Sequence, residues 1–140
     1  MAYNLGEIQP GAYVIKATAS AAITKGYFVV ITPSGAAPTV AIYTGAEPAG
    51  VVGVALDAAS AAGQVIRVCI DGMVSVQCDD TGVDAFDFVS SSNLGKAEVA
   101  DLEADYVLGI ALDKGAAKGV ALIKLNQITG ILGATAGGAS

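Results

Sequence analysis

The chain has 140 residues, a formal net charge of −6, a sequence pI near 4.3, and neither His nor Trp. The missing imidazole removes the commonest general base and metal ligand, and with it every Ser-His or Cys-His nucleophile pair within the chain. The acidic balance repels nucleic-acid phosphate and anionic lipid, so neither nucleic acid nor membrane is expected as a partner.

Hydrophobic residues make up 54% of the chain, aromatics only 6%, and Gly occurs 18 times. Such a composition favours short strands joined by tight turns. Residues 1–11 (MAYNLGEIQPG) carry no basic start and no apolar run, so no signal peptide is expected. They read as an extended arm closed by the Pro10-Gly11 turn. Tyr3, Leu5 and Ile8 are its apolar residues and the candidates for docking on a partner.

Tyr13–Ala17 reads as a strand, Ile23–Gly26 as a turn, and Tyr27–Ile31 as an apolar strand. A Pro/Gly/Ala loop follows from Thr32 to Thr39, then a short strand Val40–Tyr43 and a turn at Glu47–Gly50. Residues 26–46 are uncharged, but Pro33, Gly35 and Pro38 exclude a spanning helix there. Val51–Asp57 (VVGVALD) is a strand, and a small-residue link leads to the alternating strand Gln64–Ile70. Asp71-Gly72 between two apolar runs predicts a hairpin, with Met73–Cys78 as its second strand. That hairpin sets Cys69 against Val74 and Cys78 against Val65, too far apart to bond, so two free thiols are expected.

The second half restates the first. Tyr106–Asp113 (YVLGIALD) matches Val51–Asp57, Val120–Leu125 matches Val65–Ile70, and Phe88-Val89 matches Phe28-Val29. Gly53 and Gly109, 56 residues apart, would admit close backbone approach, and Asp57 and Asp113 would close their strands by accepting from turn amides. Gly72 belongs to the same set of turn and strand positions. Residues 97–105 (AEVADLEAD) are the best helix candidate, one or two turns long. Residues 128–140 read as a flexible Gly/Ala-rich tail. The expectation is an all-β chain with at most one short helix. Residues 12–127 form a compact β-barrel or sandwich-like domain with a weak internal duplication, behind the arm at 1–11.

No phosphate loop, GxGxxG or GxSxG is present. Between Asp79 and Asp105 lie eight acids and one base, Lys96, a net of −7. The spacing in DDTGVDAFD matches no Ca²⁺ loop and reads as a solvated face. No catalytic residue, metal or cofactor is expected, and the chain is read as a non-enzyme.

On Gly26–Val30, Val52–Asp57, Val65–Gly72 and Leu108–Asp113, over residues 8–126, the sequence resembles the capsid decoration (cement) proteins of tailed phages. It is more distantly similar to the lambda-like head decoration proteins. The resemblance implies a β-barrel-like fold, a homotrimer, and a place on the outer capsid surface of the virion. There the chain would bridge subunits of the major capsid protein, with the arm of Tyr3, Leu5 and Ile8 against the shell. The residues also leave open a lectin-like or adhesin-type binding module without catalysis.

Overall fold

A computed structural model describes residues 4–32, 38–45, 50–101 and 106–126. Its strands are β1 (Tyr13–Ala19), β2 (Phe28–Thr32), β3 (Thr39–Ile42), β4 (Val51–Ala55), β5 (Val65–Gln77), β6 (Phe88–Ser91), β7 (Ala97–Val99), β8 (Gly109–Ala111) and β9 (Val120–Leu125). There is no helix among the described residues, and the all-β reading holds.

The strands neighbour one another in the order β1-β3-β2-β4-β5-β9-β8-β6-β7, and β1 also pairs with β5. That extra pairing closes β1, β3, β2, β4 and the first half of β5 into a five-stranded barrel. In it β1 runs parallel to β3 and antiparallel to β5. Closure leaves no open edge along the joined ladders. Small and β-branched side chains fill the barrel, among them Ala17, Val29, Ile31, Val40, Ile66 and Val68. Their small volumes suit a narrow bore.

The duplication seen in the sequence is present in the strand register. Phe28 pairs with Val54 and Val29 with Gly53 in the first half; Phe88 pairs with Ile110 and Val89 with Gly109 in the second. Val54 pairs with Cys69 as Ile110 pairs with Lys124. The second half of β5 takes the place of β1. Val74 pairs with Ile123 as Ile15 pairs with Val68, and a parallel bridge between Cys78 and Ala97 repeats the β1–β3 pairing of Ala19 with Val40. The molecule is thus two copies of one barrel unit that share β5 as a common strand.

Gly53 and Gly109 hold equivalent places for one reason. A Cβ on Gly53 would strike the carbonyl of Cys69, and one on Gly109 the carbonyl of Lys124. The crossing strands pass too close for any side chain.

Two local expectations are corrected. Asp71-Gly72 is not a hairpin, because β5 runs on without a break from Val65 to Gln77. A type I′ turn needs positive φ at both central residues. Only Gly72 has it (φ 103°), while Asp71 pairs with Tyr13 and Gly72 with Leu125. The register shift between Tyr13 and Val14 leaves Ile70 as an extra residue, a bulge that bends β5 from one barrel into the other. Cys69 therefore lies in β5 and Cys78 just past its end, both free and buried. The other correction concerns the helix expected at 97–105. Ala97–Val99 is a strand paired with β6, and residues 102–105 lie outside the described residues. A nine-residue helix is marginal alone, whereas Ala97 on this edge strand is fully buried.

Candidate functional site

The arm lies on its own domain. Gly6 N–H donates to the Ser75 carbonyl (3.0 Å), Ser75 N–H to Glu7 (2.9 Å) and Gln9 N–H to Met73 (3.0 Å). Ile8 bridges Val74, and Ser75 Oγ donates to the Glu7 carbonyl. Leu5 covers Gly26 so closely that a Cβ there would overlap its side chain. Leu5 is half-buried and Ile8 is 36% exposed. Tyr3 and the tail at 128–140 lie outside the described residues. Between arm and barrel runs a groove of about 580 Å³ lined by Asn4, Leu5, Glu7, Ile8, Lys25 and Arg67.

Asp57 and Asp113 do different work. The Asp57 carboxylate accepts the Arg67 backbone N–H (2.9 Å) and, in a fork, its Nε (3.1 Å) and Nη2 (2.9 Å). The guanidinium bonds hold the Asp57 carboxyl below the usual carboxylate range, against an opposing cost of burial. Asp113 accepts the turn amide of Lys114 (2.8 Å), and Leu122 occupies the place opposite it that Arg67 holds opposite Asp57. Only Asp113 accepts a turn amide as expected; Asp57 reaches across to the next strand. Burial raises the Cys69 thiol and pushes Cys78 up to about 11, so both are neutral and poor nucleophiles at pH 7. Among the described residues no group of three or more His, Cys, Asp or Glu side chains is placed to hold a metal ion.

The two copies differ in backbone chemistry at one end of the second barrel. Equivalent bonds close the same turn in each. Ile23 and Ala59 exchange backbone bonds, as do Val83 and Gly115; Gly26 N–H donates to Ala55 O, as Phe86 N–H does to Ala111 O. The position is left-handed both times, Gly26 at φ 85° and Phe86 at φ 70°. A second left-handed site repeats the substitution, with Gly63 at φ 95° in the first copy and Lys118 at φ 59° in the second. Bulky residues hold such backbone at a cost of about 1–2 kcal/mol each.

The Phe86 turn is pinned at both ends. Asp84 N–H donates to Asp87 Oδ2 (2.9 Å) and Asp87 N–H to the Asp84 carbonyl (3.2 Å). Gln77 Nε2 fixes the other turn by donating to the carbonyls of Lys118 (2.8 Å) and Gly119 (3.1 Å). Phe86 stands 74% exposed, the most exposed large hydrophobic among the described residues. Beside it a groove of about 370 Å³ is lined by Thr81, Val83, Asp84, Asp87, Val99 and Lys114. Neither Phe86 nor Lys118 was singled out from the sequence. Setting the Thr24-Lys25-Gly26-Tyr27 turn over Asp84-Ala85-Phe86-Asp87 would have shown an aromatic standing where the fold prefers glycine.

No protein-family model and no curated protein matches the chain. Among solved structures it is similar to the N base of the head fibre protein gp8.5 of bacteriophage phi29. That likeness has 12% identity and a TM-score of 0.61, over 85% of this chain and 99% of that one. At that identity what the two share is the fold.

Proposed function

We propose that this protein is a structural component of a phage virion, which binds the outer surface of the capsid as a homotrimer and stabilises the shell by bridging subunits of the major capsid protein. The observation that carries the reading is the fold shared with the whole of a phage head-fibre base. The decoration-protein resemblance in the sequence points the same way on separate grounds. Two fused barrels with buried thiols and an acidic surface suit a protein that acts through its surface. Many weak contacts repeated around a shell sum to firm attachment.

Co-sedimentation of the purified protein with empty, expanded shells tests the proposal. Saturable binding at a fixed ratio to the major capsid protein is expected. Absence of binding, together with absence from purified virions, would reject the reading and favour a glycan- or adhesin-type module. Light scattering at micromolar concentration is expected to show a trimer; a monomer would remove that part of the proposal.

A further inference from the structure

We infer that the Phe86 end of the second barrel is the face that docks on the shell, and that it fits a protein surface with an apolar socket rimmed by Lys or Arg side chains. The molecule contains its own control. The first copy builds the same turn with Gly26, in a left-handed conformation that costs glycine little. The barrel therefore does not need a side chain there. The second copy keeps the conformation and sets a phenyl ring on it, 74% exposed, on a turn fixed by reciprocal Asp84–Asp87 bonds. A rigid, solvent-facing aromatic loses little conformational entropy on binding and contributes much apolar area.

Charge identifies the occupant. Asp84 and Asp87 flank the ring in sequence and line the adjoining groove together with Lys114, and Lys118 lies beside Asp79, so with Asp80 the acids at this end outnumber the bases. An apolar anchor in a net acidic surround complements an apolar socket with a basic rim. Among the described residues a second copy of this chain offers only the groove of Leu5, Ile8, Lys25 and Arg67 for such a ring, and it is a poor match because Glu7 lines that groove too and Arg67 is already forked to Asp57. The arm is the weaker candidate for the same task, since Leu5 and the backbone of residues 6–9 are engaged with Gly26 and β5. Identifying the socket with the shell rests on the function proposed above.

The test compares wild type, Phe86→Gly, Asp84→Lys and Tyr13→Ala in shell co-sedimentation and in sedimentation velocity without shells. Phe86→Gly keeps the left-handed turn, and Tyr13, 64% exposed on the first barrel, is the control aromatic. Phe86→Gly is expected to weaken binding at least tenfold with an unchanged or raised Tm. Asp84→Lys should weaken it several-fold and flatten its salt dependence, and Tyr13→Ala should bind as wild type does. Wild-type binding with no loss in Phe86→Gly overturns this inference and leaves the proposed function standing. No binding by wild type overturns this inference and, together with absence from purified virions, the proposed function as well. If Phe86→Gly instead dissociates wild-type oligomers in the absence of shells, the ring belongs to a self-interface and the inference fails.

Discussion

The two barrels carry the same register and the same turns, yet one is covered and the other is bare. In the first, the row Phe28–Val54–Cys69 across β2, β4 and β5 is wholly buried. The turn before β7 lies over it, with Phe28 N–H donating to the Gly95 carbonyl (2.7 Å) and Lys96 Nζ 5.9 Å from the Tyr27 ring centroid. In the second, the equivalent row Phe88–Ile110–Lys124 lines a shallow slot of about 120 Å³, with Phe88 39% exposed. Duplication fixed the backbone, while side-chain burial was set by what each copy meets: the first meets the second, and the second meets solvent or a partner.

The sharpest way to break that contrast is to truncate the paired rings. Phe28→Ala should cost about 3–5 kcal/mol in denaturant unfolding, as for any fully buried aromatic, while Phe88→Ala should cost about 1 kcal/mol. Equal losses would mean that the second row is as enclosed as the first. Exchanging the turn residues comes next. Gly26→Phe places a side chain at φ 85° against Leu5 and should destabilise by about 2 kcal/mol or more. Phe86→Gly should leave stability within about 1 kcal/mol of wild type, because relief of strain offsets the freer unfolded chain. A large loss from Phe86→Gly would make the ring part of the fold.

Thiol chemistry probes the buried side of the same seam. Cys69 and Cys78 should resist a thiol reagent at pH 8 in the folded state and react fully in denaturant. Ready labelling of either would show that the seam opens under native conditions. The smallest effect concerns Asp57. Its folded pKa lies below its unfolded one, so its contribution to stability is present above about pH 4 and is lost as pH falls through the lowered value. Asp57→Asn should give a small, salt-sensitive loss of Tm at pH 7 that disappears in acid, since the pair is more than one-third exposed. A loss independent of pH would assign the role to packing.

Alternation and turn residues made the strands around Val29, Val54, Ile66 and Ile123 legible in the sequence. The repeated Gly-Val/Ile-Ala-Leu-Asp stretch exposed the duplication. What stayed hidden depended on contacts between distant segments. Asp71-Gly72 has the composition of a hairpin, and only the neighbours Tyr13 and Leu125 hold it straight. Ala97–Val99 has helix-forming residues, and β6 makes it a strand. The equivalence of Met73–Gln77 to β1 left almost no shared residues to read, because alternating apolar positions are all that the role requires. Phe86 was missed because composition alone does not give φ; only its turn set over that of Gly26 points to it.

A shared β5 also has a mechanical meaning. Domains strung on a linker can swivel, and one can melt while the other stands. Here no linker separates the halves: a pull that splays the barrels must shear a strand hydrogen-bonded on one flank to β1 and the arm and on the other to β4 and β9. Those ladders load together, so the molecule should behave as one stiff strut, with a single unfolding event under force and no hinge at its middle.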